Sequence, residues 1–374
     1  MTDALAADAQ GVLTNLLLIA GAATFLAGLR RRRRLAAMIG CGFVAAAVLV
    51  FVHARVSTPV AETSVGPAEI ARARAAYFER VIARLPSRRV TAHRTREANA
   101  RWFRVARLGL FIHYGPTSLL QARTDKAWWH AVDAGKFDAA AREFHPNPGS
   151  VKQWVALAKR IGASYLTVTA KHHDGFGLWD SRLTKWDVGP GHDLLAPLAR
   201  EAQRRRVPLF IYYSLLDLHE PTYAANKDAY LLFVEGQLRE LLTQYGPVAG
   251  VWFDGWNRNF GKRRLGALYR LVHELQPWAL VATNHHQLPL PGEDFRIYEN
   301  VFPRGRGRPA IPREVAAKLG PTWFWNGRPT SLERLPKLIA HAASSHANLL
   351  ADIPPRPDGR IAQSVRDAAR ATSG

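Results

Sequence analysis

Polar and aromatic residues follow several apolar runs of this chain, each at the point where a strand is predicted to end. They are His113 after LGLFI, KHHD (171–174) after YLTVTA, Tyr212, Tyr213 and Ser214 in PLFIYYS, Trp252 and Asp254 in VAGVWFD, and Asn284, His285 and His286 after ALVAT. Imidazoles and phenols can hydrogen-bond sugar hydroxyls, and aromatic faces can pack on a sugar ring. Two carboxylates in one such site would supply glycoside hydrolysis, and Asp254 is one candidate.

Two other interpretations of the histidines are open. They could ligate a metal, but His172 and His173 are neighbours and would point to opposite sides of a strand, so both reach one ion only on an irregular backbone. The pair at 285 and 286 has the same difficulty. Alternatively, HHDG is an ordinary turn whose histidines are satisfied locally. We expect no metal and no cofactor.

The elements that must position these residues alternate between strand and helix from Trp102 onward. Strand-like runs such as SYLTVTA are apolar on both faces, and amphipathic helical runs such as DLLAPLAREAQRRR separate them. This alternation predicts a parallel sheet covered by helices, and its length favours a (β/α)8 TIM barrel over residues 101–374. No glycine fingerprint of a nucleotide-binding fold follows a strand. In such a barrel the carboxyl ends of the strands meet, so the polar clusters should form one mouth.

Several motifs in order resemble the α-L-fucosidases of glycoside hydrolase family 29. From about Trp102 to Arg366 these are RLGLFIHYGPTSL, ASYLTVTAKHHDGFGLWDS, VPLFIYYSLLD, QLRELLTQYGPVAGVWFDG and NLLADIPPRPDG. The intact KHHDGF and the combination of QLREL with WFDG are the most specific. The resemblance implies an exo-acting, retaining hydrolase that removes terminal α-L-fucosyl or closely similar residues from glycoconjugates.

The resemblance also implies residue roles. Asp254 matches the nucleophile, and Glu299 in DFRIYEN stands at a distance that suits the acid/base, with Glu293 as the alternative. The acid/base must be protonated when the leaving group departs. The residues that match sugar-binding positions are His113, Trp128, His172, His173, Trp252 and one or both of Tyr212 and Tyr213.

Some positions depart from the family pattern around the sugar. Ala127 precedes Trp128 where relatives have a glutamate, and His285 to Gln287 stand where an arginine is frequent. These changes favour a shifted substrate or weak activity. The rival hypothesis is therefore a catalytically weakened carbohydrate-binding or envelope glycan protein on the same barrel.

Composition excludes few partners. The 374 residues are 48% hydrophobic with 11 Trp and 16 Phe, which can supply a large core. The net charge of +21 includes the run Arg30–Arg34, and without a zinc-finger or RNA-binding signature we expect a solvated basic surface and no nucleic acid. The single Cys41 forms no disulfide within the chain.

The N-terminal 53 residues predict a membrane hairpin. Residues 11–29 and 35–52 are free of charge and long enough to cross a bilayer, and the five arginines between them should stay in the cytoplasm. A cleaved signal peptide would carry its charge before the apolar stretch, and buried core helices are the other alternative. Residues 54–100 are a predicted linker with a helix from Ala68 to about Leu85, which either packs on the barrel or holds the barrel away from the membrane. We expect a multi-pass protein of the cell membrane with its barrel outside the cytoplasm.

Overall fold

The computed structural model describes residues 66–86, 90–91, 94–121, 134–285, 290–304 and 309–371. The predicted membrane hairpin lies outside these residues, as does Trp128. Among the helices of the described residues, none has the length and apolar character needed to cross a bilayer. The described residues from Pro67 onward form one compact unit.

Eight parallel strands form the centre of this unit. They are β1 (Leu108–Ile112), β2 (Tyr165–Lys171), β3 (Leu209–Ser214), β4 (Gly250–Asp254), β5 (Leu280–Thr283), β6 (Arg296–Glu299), β7 (Arg313–Lys318) and β8 (Ala347–Asp352). Their order is β5-β4-β3-β2-β1-β8-β7-β6. The sheet is therefore one circuit of parallel strands, as the alternating sequence pattern predicts.

The strands at the two ends of this order, β5 and β6, are joined through Asp294, which precedes β6. The Asp294 backbone N–H donates to the Val281 carbonyl oxygen at 2.8 Å, and the Val281 N–H donates to Asp294 Oδ2 at 2.9 Å. One backbone and one side-chain hydrogen bond thus stand in place of a regular ladder between β5 and β6, and the sheet is a near-barrel of the TIM type. Asp294 thereby fixes where β6 begins.

The helices surround the sheet. They are α1 (Pro67–Ile82), α2 (Arg96–Phe103), α3 (Thr117–Leu120), α4 (Ala134–Glu143), α5 (Val151–Arg160), α6 (Leu195–Arg204), α7 (Pro221–Ala225), α8 (Lys227–Gln244), α9 (Lys262–Leu275), α10 (Leu335–Ser344) and α11 (Gln363–Ala371). The described residues between β5 and β7 contain no helix. That side of the barrel departs from a regular strand–helix repeat.

Aromatic side chains fill the barrel interior. Phe103 packs its ring 4.7 Å from that of Phe295, and both contact Phe210. Gly109 is required here because a Cβ at this position would lie 2.3 Å from the Tyr165 ring. The barrel interior is thus a packed core, and it closes the barrel below the predicted mouth.

Helix α1 is the helix predicted from Ala68, and it packs on the barrel against α7 and α8. Phe78 is fully buried, with its ring 5.1 Å from that of Phe233. The Arg74 guanidinium forms an ion pair with the buried Glu220, with Nε 2.6 Å from Oε1. Helix α1 therefore packs on the barrel, which is one of the two alternatives that the sequence left open.

Candidate active site

A cavity of about 230 Å³ lies at the carboxyl ends of the strands. Its lining includes most of the predicted sugar-binding residues together with both predicted catalytic acids: His113, His172, His173, Tyr212, Trp252, Asp254 and Glu299. A cavity of this size suits a single sugar ring rather than a long ligand. The convergence of separate strand ends on one mouth is as the sequence predicts.

Asp254 ends β4 and keeps part of its carboxylate exposed, with 17% of the side chain accessible. Its Oδ2 accepts a hydrogen bond from Tyr212 Oη at 2.7 Å, and its Oδ1 accepts one from the Gly255 N–H at 2.7 Å. Burial raises the pKa of the Tyr212 phenol well above its usual range, so this group stays a donor. The carboxylate is thus fixed in direction and faces the cavity.

Glu299 ends β6 and approaches Asp254 through a shared donor. Asn284 Nδ2 donates to Glu299 Oε2 at 2.8 Å and to Asp254 Oδ1 at 3.2 Å. Because both oxygens accept from one nitrogen, they lie within about 6 Å of each other. An upper bound of about 6 Å between these two oxygens is compatible with the separation of about 5–5.5 Å between the carboxyl groups of retaining glycosidases.

Glu293, the alternative acid, is buried and occupied. Its side chain is 1% exposed, and it accepts hydrogen bonds from Tyr269 Oη, His285 Nε2, the Thr283 N–H and the Leu290 N–H. Glu293 is also absent from the cavity lining. Its position indicates that it supports the loop after β5.

His113 follows β1 and is oriented by the buried Asp352. Its Nδ1 lies 2.8 Å from Asp352 Oδ1, and an ionised carboxylate can only accept, so Nδ1 carries the proton. Burial holds the pKa of His113 well below its ordinary value of 6.5, which keeps the ring neutral. Its Nε2 is therefore an acceptor for a ligand hydroxyl.

His173 is oriented in the same way by Ser214. Ser214 Oγ donates to the Leu216 carbonyl oxygen at 2.7 Å, so it accepts from His173 Nδ1 at 2.7 Å. Burial lowers the pKa of His173 to about 3, and the neutral Nε2 faces Asp254 Oδ2 at 3.7 Å. Two acceptors at that distance form no hydrogen bond with each other, and both can accept from a bound hydroxyl.

His172 shares this mouth, and its position corrects the reasoning that set the metal interpretation aside. The register of β2 shifts between Thr169 and Lys171 and the strand ends there, so His172 and His173 are not on opposite sides of a strand. Ligand atoms of His172, His173 and Asp254 lie within 4.8 Å of one another. Ligand atoms around a tetrahedral zinc ion are about 3.3 Å apart, so the three groups would have to contract to hold one.

Tyr213 does not belong to the mouth, which corrects its predicted contact with the sugar. Successive residues of β3 point to opposite faces, so Tyr212 points into the barrel and Tyr213 outward under α8. There Tyr213 Oη donates to Gln237 Oε1 at 2.7 Å. Lys171 also points outward, and its Nζ donates to Asp217 Oδ2 at 2.7 Å.

Trp252 is hydrogen bonded beneath the cavity to Glu314, a residue that was not predicted from the sequence. Its Nε1 donates to Glu314 Oε1 at 2.7 Å, and Tyr165 Oη donates to the other oxygen of this carboxylate at 2.5 Å. Burial raises the pKa of Glu314 to about 7. The Trp252 ring stacks on Tyr212 with centroids 5.2 Å apart, so Glu314 fixes an aromatic wall of the cavity.

Other unpredicted groups also surround the cavity. Phe111 and Trp323 line it beside His113, the Trp323 ring centroid being 4.9 Å from that of His113. Trp323 lies in the loop after β7, where no strand-end pattern pointed to it. Trp128, Ala127 and His286 lie outside the described residues.

Comparisons with known proteins agree with this geometry. The family model described as Alpha-L-fucosidase matches residues 83–373. Alpha-L-fucosidase 1 of Arabidopsis thaliana is 28% identical over 291 residues, 68% of this chain and 55% of that protein. Putative alpha-L-fucosidase 1 of Oryza sativa subsp. japonica is 30% identical over 297 residues, 71% of this chain and 55% of that protein. The chain thus spans about half the length of these curated relatives.

Solved structures show the same likeness. Alpha-L-fucosidase AlfC from Lactobacillus casei, in complex with its alpha-L-fucose product, superposes with a TM-score of 0.63 at 26% identity, covering 74% of this chain and 98% of that one. Alpha-L-fucosidase isoenzyme 1 from Paenibacillus thiaminolyticus gives a TM-score of 0.64 at 25% identity over 74% of this chain and 75% of that one. With the family match covering most of its length, the chain belongs to the α-L-fucosidase family.

Proposed function

We propose that this protein is a retaining exo-α-L-fucosidase acting on terminal α-L-fucosyl, or closely similar, residues of glycans. The observation that carries the proposal is the pair of carboxylates of Asp254 and Glu299, joined through one amide within about 6 Å at the edge of a sugar-sized cavity. Family membership supports the sugar, and the small cavity supports removal of one terminal unit.

The first step uses both acids. An Asp254 carboxylate oxygen attacks the anomeric carbon while the bond from that carbon to the aglycone oxygen breaks, and the proton of Glu299 passes to the leaving oxygen. The product is a glycosyl ester on Asp254. Tyr212 and the Gly255 N–H hold the attacking carboxylate in line.

The second step restores the enzyme. Glu299, now ionised, takes a proton from water as the water oxygen bonds to the anomeric carbon and the ester bond to Asp254 breaks. The neutral His113 and His173 accept hydrogen bonds from sugar hydroxyls throughout, because each has its Nδ1 hydrogen bonded to Asp352 or Ser214.

An aryl α-L-fucoside tests the proposal. We expect the full chain to release the aryl alcohol and to form the α-anomer of fucose first, as proton NMR would show, and we expect Asp254→Ala to lose activity by at least about 1,000-fold. A 2-fluoro-fucosyl fluoride should label Asp254 in the wild type. Equal turnover by both proteins, or first release of the β-anomer, would contradict it. Sugar binding without turnover would favour the carbohydrate-binding alternative.

We also propose that residues 11–29 and 35–52 anchor the barrel on the outer side of the cell membrane. The support is in the sequence: two charge-free stretches flank Arg30–Arg34. In a bacterial host the full chain should stay with membranes through an alkaline carbonate wash, and protease added from outside to spheroplasts should digest the barrel. Release by the wash, or protection of the barrel from protease, would contradict the anchoring.

A further inference from the structure

We infer that Asn284 is a catalytic residue, whose side-chain amide donates to both the nucleophile and the acid/base and favours the ionised form of each. The inference rests on the proposed function, because it concerns how the two acids of that reaction work together. Asn284 follows β5, lines the cavity and is 6% exposed.

The backbone places the amide between the two acids. The Asn284 N–H donates to the Phe253 carbonyl oxygen at 2.8 Å, which ties this residue to the one before Asp254. The two hydrogens of Nδ2 then point to different carboxylates, Asp254 Oδ1 at 3.2 Å and Glu299 Oε2 at 2.8 Å. One neutral group thus touches both reacting acids.

The orientation of the amide follows from its partners. If the amide were turned around, its oxygen would face Oδ1 of the ionised Asp254, and two acceptors would meet without a hydrogen between them. In the observed orientation Asn284 Oδ1 is buried and receives no hydrogen bond from the described residues. The amide therefore offers both hydrogens to the acids and leaves its oxygen for an O–H donor.

A neutral shared donor has a specific electrostatic effect. Each N–H bond stabilises the ionised form of the carboxylate that accepts it. Retaining hydrolysis needs Asp254 ionised and Glu299 protonated at the start, so the acidic limb of the pH–rate profile reports the first and the basic limb the second. Without the amide, both carboxylates hold their protons to higher pH, and both limbs move in the same direction.

The test compares pH profiles of kcat/KM on an aryl α-L-fucoside for the full-length wild type, Asn284→Ala and Asn284→Leu. Leucine fills a similar volume without any hydrogen bond, so it separates the lost donor from the lost packing. We expect kcat/KM to fall about 100-fold in both variants. We also expect both limbs to move up by about half to one pH unit. Asn99→Ala is the matched control, since Asn99 is equally buried beneath the barrel and its side-chain amide donates to the Trp278 carbonyl oxygen.

Asn284→Asp should be the least active variant, because it adds a third carboxylate beside the other two. The pH limbs depend on ratios of rates, so a lower folded fraction does not move them. Limbs that stay at their wild-type positions in both Asn284→Ala and Asn284→Leu would overturn the inference and leave Asn284 with a packing role. If the wild type itself does not hydrolyse the fucoside, the proposed function fails first, and the two failures are distinguished.

Discussion

The mouth of the barrel and the layer beneath it both hold carboxylates among aromatic rings, but they hold them differently. In the mouth, Asp254 and Glu299 face the cavity and share the Asn284 amide as a donor, and Asp254 also accepts from Tyr212 Oη and the Gly255 N–H. Deeper in the protein, Glu293 and Glu314 are about 1% exposed, and both oxygens of each accept hydrogen bonds from fixed donors.

In the proposed mechanism, the difference separates acids that react from acids that support. A carboxylate can exchange a proton or attack a carbon only if one of its oxygens can reach the substrate. Glu293 and Glu314 have no such oxygen, so they act as rigid acceptors that position rings and loops. Exposure to the cavity, rather than the type of residue, distinguishes the two classes.

The largest expected effect comes from replacing Glu299 and Glu293, which lie in the same segment, one at a time. Glu299→Gln should lower kcat about 1,000-fold on a fucosyl oligosaccharide, because nothing protonates its leaving oxygen, and less on an aryl fucoside whose leaving group needs little help. Glu293→Gln should leave kcat within about threefold but lower the free energy of unfolding by about 1–3 kcal/mol, since an amide oxygen replaces only part of its four acceptor bonds. Steady-state kinetics and urea unfolding measure both.

The opposite pattern, with Glu293 controlling turnover and Glu299 controlling stability, would reverse the assignment of the acid/base. Equal losses on both leaving groups would indicate that Glu299 binds substrate without donating a proton.

The sequence predicted the residues that line the mouth better than the buried residues that position them. Asp254, His113 and the 172–173 pair stand directly after long apolar runs, so the rule that parallel strands end together was enough to bring them into one site. Glu299 ends a strand of only four residues, RIYE, whose hydropathy does not mark it as a strand, and its role came from the family resemblance.

Two kinds of information were missing. Neighbouring strand residues point to opposite faces, but Tyr212 and Tyr213 both follow apolar residues, so the pattern did not say which one points inward. Glu314 lies inside REVAAK, where a charged residue indicates an exposed strand, although its two donors come from β2 and β4. Contacts between strands distant in sequence leave no local pattern.

The second prediction concerns Glu314 and the pH dependence of stability. Burial raises its pKa in the folded protein to about 7 from the ordinary 4.5. Between these values the folded state binds more protons than the unfolded state, so the free energy of unfolding falls as pH rises from 4.5 to 7 and then levels off. The contribution that is lost is about 3 kcal/mol.

Glu314→Gln removes this titration but keeps an acceptor for Trp252. The difference in unfolding free energy between wild type and Glu314→Gln should therefore change across that pH window, while kcat/KM at constant pH stays within a few fold. Urea unfolding at several pH values measures the difference. Parallel stability curves for the two proteins would show that Glu314 does not titrate there, and a large loss of activity would move it into the reacting class.

The smallest expected effect belongs to Asp352, a buried acid that acts on the mouth through His113. In Asp352→Asn the new amide can donate to Nδ1 instead of accepting from it, which would put the proton on Nε2 and turn a hydroxyl acceptor into a donor. Since the proposed role of His113 is to bind the sugar both before and during the reaction, KM should rise about tenfold with kcat nearly unchanged. Asp358→Asn, on an exposed turn, is the control. A fall in kcat at constant KM would instead place His113 among the groups that act only in the transition state. Asp352, which orients His113, would then affect the chemical step and would not only support sugar binding.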